Sequence, residues 1–196
     1  MKWVRFCATG CLALLCGCAS LSQTGSPTDQ VVGQGALEGF RFSGRLAVHQ
    51  PSGTDTGKID WTSQGGQQHV ELLTPLGSTV AVLDRAPQSI HLVLSDHSEF
   101  WATDSEKLTQ AVLGYALPLD GLPWWVLGQA APMGGATVTR DAAGNPDTLS
   151  QAGWQIHYAN WRQVGEQMLP GNLSLQHEEL AIRLRVDRWV VERGLK

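Results

Sequence analysis

Leu180-Ala181-Ile182-Arg183-Leu184-Arg185-Val186-Asp187 alternates without a break, with Leu180, Ile182, Leu184 and Val186 apolar and Ala, Arg, Arg and Asp between them. Successive side chains of a strand point to opposite faces, so this period of two puts one face in an apolar interior and the other in water. The same signature recurs upstream. Phe42-Ser43-Gly44-Arg45-Leu46-Ala47-Val48 opens the series, and Ile59-Asp60-Trp61 follows a glycine-rich turn. Val70-Glu71-Leu72, Val80-Ala81-Val82 and Ile90-His91-Leu92-Val93-Leu94 complete it. Strands and turns at spacings of roughly 8–12 residues predict a sandwich or barrel.

One stretch departs from this pattern. Ser105 to Gly114 reads as a helix, capped by Asp104 or Ser105 and ended by Gly114. Leu119 to Leu127 reads as a second short helix, with Pro123 in its first turn and Gly128 as its stop. Two short helices cannot cover both faces of a sheet, but they can cover the open mouth of a curved one. No internal repeat is present.

The 196 residues suit one domain, or two small ones at most. Fourteen basic against 18 acidic residues give a net charge of −4, which argues against a nucleic-acid partner. No apolar run reaches the 18 or so residues of a membrane-spanning helix. The N-terminus reads as a targeting segment, with Lys2 and Arg5 preceding the apolar stretch Phe6 to Leu15. Leu15-Cys16-Gly17-Cys18 then resembles a bacterial lipobox, with Cys18 the best-placed lipid-bearing cysteine. Cleavage before Cys18 removes 17 of the 196 residues, leaves 179 and moves the net charge to −6. All four cysteines lie in this segment, so the mature chain has no disulfide, cysteine metal site or thiol nucleophile. Ala19 follows Cys18 where an aspartate would signal inner-membrane retention, which suggests the outer membrane. Residues 18–36 read as the acylated cysteine and a flexible tether, and 37–196 as the barrel domain.

Enzyme motifs are missing one by one. His177-Glu178-Glu179-Leu180 starts like a zinc-protease helix, but Ala181 stands where the second histidine belongs and the segment reads as a strand end. Gly33-Gln34-Gly35 lacks the third glycine of a dinucleotide loop, and no nucleophile elbow or phosphate-binding loop occurs. Asp96 and His97 fall in a hairpin turn. His69, His91 and His157 take polar positions of alternating strands. No catalytic residue, metal ligand or cofactor is expected.

The positive signal is hydrophobic. In Leu72-Leu73-Thr74-Pro75-Leu76-Gly77-Ser78-Thr79-Val80, Pro75 suits the first central position of a β-turn, Leu76 the second and Gly77 the next. A leucine at a turn tip cannot easily fold back into the core. It is either a membrane-touching residue, a lone exposed leucine or one tucked under a helix. Seven of the eight tryptophans remain in the mature chain, and they either pack a core or line a ligand space. The Trp124-Trp125 pair sits on the second helix, which would face such a space.

These motifs stand in a familiar order: the lipobox at Cys18, Phe42-Ser43-Gly44-Arg45, Pro75-Leu76-Gly77-Ser78-Thr79, Trp125-Val126-Leu127-Gly128 and Val186-Asp187-Arg188-Trp189-Val190-Val191. Together they resemble the LolB family, outer-membrane receptors of the bacterial lipoprotein-sorting pathway. The resemblance spans nearly the whole mature chain, and the turn is its most specific element. It implies a mainly β (α+β) fold, an incompletely closed, curved antiparallel β-barrel with short helices as a lid over a hydrophobic cavity. It implies a monomer that takes acylated lipoproteins from a LolA-type periplasmic carrier and inserts them among the phospholipids of the outer membrane's inner leaflet. Pro75, Leu76 and Gly77 would form the insertion loop, with Leu76 its key residue. The candidate cavity lining is Leu46, Val48, Trp61, Leu72, Val82, Leu92, Trp124, Leu175 and Leu184. Three acyl chains carry on the order of 40 methylenes, so exposing them to water would cost roughly 30 kcal/mol at about 0.8 per methylene. Transfer must therefore run from cavity to cavity to membrane, directed by relative affinities. The competing reading is a scaffolding lipoprotein whose barrel is filled by its own side chains.

Overall fold

The computed structural model describes residues 39–192. Cys18, the signal segment and the tether lie outside them. Six strands come first: β1 (Gly39–Gln50), β2 (Gly53–Gln64), β3 (Gln67–Leu73), β4 (Thr79–Ala86), β5 (Ser89–Leu94) and β6 (Glu99–Ala102). Two helices follow, α1 (Ser105–Leu113) and α2 (Leu122–Trp125). Then come β7 (Thr137–Arg140), β8 (Pro146–Gln151), β9 (Trp154–Ala159), β10 (Arg162–Val164), β11 (Gln167–Leu169), β12 (Asn172–His177) and β13 (Leu180–Glu192).

Eleven strands form one antiparallel sheet in the order β6-β5-β4-β3-β2-β1-β13-β12-β9-β8-β7, and β10 pairs only with β11. The edges β6 and β7 do not pair with each other, so the sheet stays open. The chain that joins those two edges carries both helices. Side chains from β1 to β5 on one arm and from β12 and β13 on the other line one cavity, which requires the sheet to curl. The alternation in the sequence is what makes this possible. Phe40, Phe42 and Val48 of β1 are buried, as are Ile182, Leu184, Val186 and Trp189 of β13, while Arg41, Arg45, Arg183, Arg185 and Arg188 face water.

A bulge bends the central pair. Ser43 faces Arg188 and Gly44 faces Val186, leaving Asp187 as the extra residue. A side chain at Gly44 would collide with the Arg185 carbonyl oxygen, so glycine is required there. At the same end of the sheet as Gly39, Phe40, Phe42, Trp61 and Trp189 stack into an aromatic plug with ring centroids 4.9–6.1 Å apart. The hairpins β1–β2, β3–β4 and β12–β13 lie at the opposite end.

Two expectations need correction. The inward face of β4 consists of Ala81 and Leu83, not Val80 and Val82. Leu72 pairs with Ala81 but Leu73 with Thr79, so Val80 is an extra residue and the parity beyond it follows Ala81. The second helix is also shorter than Leu119 to Leu127. Continuing it back to Leu119 would need an N–H from Pro123, which has none. The Leu119 carbonyl accepts instead from Arg85 Nη1 at 3.2 Å, and turns closed on Pro118 lead into α2.

Candidate functional site

The curled sheet and the helical segment enclose an apolar cavity of about 80 Å³. Among the residues expected to line it, Leu46, Val48, Trp61, Leu72, Leu92, Leu175 and Leu184 do so. Val82 points away for the reason just given. Trp124 is 38% exposed on the outer side of α2, because a single helical turn cannot aim two adjacent residues at one space. The helical segment closes the cavity with Leu113, Tyr115, Leu117, Leu119, Leu122 and Val126. The lining side chains are hydrocarbon except for the Trp61 indole N–H, which has no hydrogen-bond partner among the described residues, and the Tyr115 hydroxyl. Burial, then the negative charge of Asp55, pushes the Tyr115 phenol upward.

The lid is fastened unequally at its two ends. At its C-terminal end Trp125 is fully buried, and its Nε1 donates to Gln151 Oε1 at 2.9 Å. That oxygen also accepts from the Ala131 N–H at 2.8 Å, and Gln151 Nε2 donates to the carbonyls of Ala131 and Gly134 at 2.8 and 2.9 Å. Tyr158 completes the clamp by donating its hydroxyl to the Trp125 carbonyl at 3.0 Å. Burial drives the Tyr158 phenol far upward and keeps it a donor. The other half is tied to the sheet through Arg85. Arg85 donates to the Leu119 carbonyl and forms an ion pair with the Asp120 carboxylate. Thr109 Oγ1 accepts from the Leu117 N–H at 2.8 Å. α1 starts as the sequence predicts, with Asp104 accepting from the Lys107 N–H at 3.0 Å, and ends at Gly114 in the left-handed conformation.

Beyond Leu73 the chain leaves the sheet. The Gly77 N–H donates to the Thr74 carbonyl at 2.9 Å, which makes Pro75 and Leu76 the central residues of a turn. Thr74 N–H donates to the Ser78 carbonyl at 2.8 Å, and the Ser78 N–H to Thr74 Oγ1 at 3.1 Å. Gly77 takes φ 102°, which L side chains rarely adopt. This frame holds Leu76 at 96% exposure. Single exposed leucines are common; one fixed at the tip of a closed turn, next to an apolar cavity wall, is not.

The sequence model of the family described as "Outer membrane lipoprotein LolB" matches residues 38–189. A curated relative, the outer-membrane lipoprotein LolB of Nitrosococcus oceani, is 34% identical over 96% of this chain and 98% of its own length. The chain belongs to the LolB family. The LolB of Cupriavidus metallidurans is similar too, at 33% identity over 81% of this chain and 82% of its own. Among solved structures, a DUF1329 family protein from Desulfovibrio piger shares the fold at TM-score 0.54 and 6% identity, covering 83% of this chain and 89% of that one. Like its LolB relatives, the chain is a lipid-anchored outer-membrane lipoprotein of the Lol pathway.

Within this LolB fold some site residues escape sequence reasoning. Gln151 is a polar residue at 2% exposure, and no local signal separates it from a solvated glutamine. Tyr115 and Leu117 sit in an irregular link where periodicity says nothing. Ile59, Val70 and Ile182 were within reach, because each lies two residues from a lining residue on the same strand.

Proposed function

We propose that this protein accepts the acyl chains of lipoproteins from a LolA-type periplasmic carrier and inserts the cargo into the inner leaflet of the outer membrane. Cys18 tethers it there, and Pro75, Leu76 and Gly77 form the loop that touches the lipid. The observation that carries the reading is a leucine held 96% exposed on the loop that follows β3, four residues after Leu72, a wall residue of a hydrocarbon-lined cavity.

The cavity volume constrains the mechanism. About 80 Å³ is far below the room one acyl chain needs. The lid must move before cargo enters. The buried Trp125–Gln151 clamp favours a swing of α1 and the 115–121 link about α2, with Arg85–Leu119 and Arg85–Asp120 parting. Cargo methylenes then replace the lid's own apolar contacts with the wall, at about 0.8 kcal/mol each. No nucleotide step is required, and direction follows from affinity rising from carrier to receptor to membrane. Dipping Leu76 into hydrocarbon contributes roughly 1.5–3 kcal/mol at most, which suits a transient touch rather than anchoring.

The test is transfer. A carrier–lipoprotein complex is mixed with the full chain carrying Cys18→Ser, and cargo is sought on the receptor and then in added vesicles. The expected result is nucleotide-independent capture by both the parent and Leu76→Glu, with delivery lost in Leu76→Glu. Cargo that stays on the carrier while the receptor is folded overturns the reading. It would favour the filled-barrel scaffold, for which the aromatic plug and the small cavity speak. Normal delivery by Leu76→Glu would remove the role of the loop alone.

A further inference from the structure

On the outward face of the sheet, three cations stand side by side. Arg45 is the direct cross-strand partner of Lys58 on β2 and of Arg185 on β13. The adjacent outward row runs from Thr56 through Ala47 to Arg183 and Ser174. The small Ala47 floors a groove of about 660 Å³ walled by Lys58, Arg45, Arg183 and Arg185, and Pro75 of the exposed turn closes one side.

This cluster is not a by-product of composition, because the chain carries a net charge of −4. It also works against the fold, since like charges directly opposite in a ladder repel. One carboxylate offsets the repulsion. Asp187, the bulged residue, lies 3.4 Å from Arg45 Nε and 3.6 Å from Arg185 Nε. Among the described residues Lys58 and Arg183 have no ion pair. A face that only needed solvation would mix its signs, as the next outward row does with Arg188, Ser43, Asp60 and Glu71. Positive charge is therefore concentrated in these two rows, beside the turn that bears Leu76.

We infer that this groove is a headgroup site, in which Lys58, Arg45, Arg183 and Arg185 take the phosphate of an anionic phospholipid beside the point where Leu76 enters the membrane. Guanidinium forks suit phosphate oxygens, and lysine adds a point charge. The turn fixes the geometry. With Leu76 in the acyl region, Pro75 and the neighbouring cations stand at the depth of the headgroups. The same arrangement of apolar tip and cationic collar anchors interfacial segments in general. The inference rests on the membrane-touching reading of Leu76. An acidic protein surface is the other chemistry such a groove fits, and adjacency to the loop favours lipid.

The experiment uses the full lipidated protein anchored in vesicles, with a fluorophore on Ser78→Cys and quencher-labelled lipid. Vesicles of phosphatidylcholine are compared with vesicles that also contain phosphatidylglycerol. Each cation at an anionic surface strengthens association by roughly fivefold. Quenching is therefore expected to rise strongly with phosphatidylglycerol, to fall with salt, and to drop more than tenfold in membrane-engaged population in Lys58→Gln/Arg183→Gln. Arg140→Gln, on the distant β7–β8 hairpin, is expected to leave it unchanged. The salt titration needs no variant, so it stands even if the double substitution unfolds. Equal quenching in both vesicles overturns the headgroup site and leaves the loop reading intact. No quenching in either, with the fold intact, overturns both. If Lys58→Gln/Arg183→Gln keeps its lipid response but loses capture of cargo from the carrier, the groove belongs to the carrier and the inference fails.

Discussion

Gln151 shows how much one side chain can hold. Its amide makes four hydrogen bonds with Trp125, Ala131 and Gly134, and those to Trp125 and Ala131 are buried. Gln151→Leu keeps the volume but strands the Trp125 and Ala131 N–H groups and the Ala131 carbonyl. Each orphaned buried group costs about 1–3 kcal/mol, so a loss of roughly 3 kcal/mol or more is expected, read as a lower midpoint in chemical unfolding. An unchanged midpoint would mean that water replaces the amide and the clamp is not the lid's fixed end. Trp189→Phe and Trp61→Phe offer a second comparison within one aromatic plug. Trp189 Nε1 donates to the Pro170 carbonyl at 2.9 Å, whereas Trp61 Nε1 has no partner. Both substitutions remove the same atoms, so Trp189→Phe should be the costlier by roughly 1–3 kcal/mol in the same unfolding experiment. Leu76 was legible from its turn because Pro75 and Gly77 are local signals. Gln151 and the indole partners were not, since a hydrogen bond between residues 17 or more positions apart leaves no mark on local sequence.

α1 is the element the sequence reads most completely, because its cap and stop residues act within one turn. Its stability depends on pH through Asp104. The Lys107 N–H and then the Lys107 side chain hold the Asp104 carboxyl below its ordinary value. A depressed folded pKa stabilises above the unfolded value and loses that contribution as pH falls through the folded one. The first turn of α1 should therefore loosen on acidification below the usual carboxylate range, seen as lower protection of the Lys107 and Leu108 amides relative to their intrinsic exchange rates at each pH. Asp104→Asn keeps an acceptor for the cap but removes the charge, so its exchange should lose this pH dependence. Persistence of the same acid step in Asp104→Asn would assign it to another group. β4 is the contrary case. Val80-Ala81-Val82-Leu83 is apolar throughout, so period two cannot choose a face, and the bulge at Val80 makes the choice through pairing with β3. α2 was half legible. Pro123 marks its start, but the extra turns before it depend on Arg85, which lies on a strand far away in sequence.

At the scale of the molecule the alternating strands made a sandwich or barrel readable, the unclosed barrel with a helical lid came from the family resemblance, and the size of the enclosed space is a property of packing alone. That size separates the two functional readings. Ala81 is 1% exposed and lines the cavity. Ala81→Leu adds three carbons to a void of about 80 Å³, enough to fill much of it. At about 0.8 kcal/mol per methylene the filled cavity gains roughly 2 kcal/mol, provided no rotamer is forced into the 1–3 kcal/mol cost of overpacking. Stability should rise, measured as a higher thermal midpoint. Acyl acceptance should move the other way, because carbons placed in the cavity occupy the space into which the first cargo methylenes go. A fluorescent fatty-acid probe should bind Ala81→Leu more weakly than the parent, and transfer from a carrier complex should slow. Opposite signs for stability and acceptance are what a ligand space demands, since room left for a guest is packing withheld from the host. A filled barrel has no such tension: Ala81→Leu would then stabilise the fold and leave probe binding and transfer unchanged, and the cavity would be a packing void rather than a site.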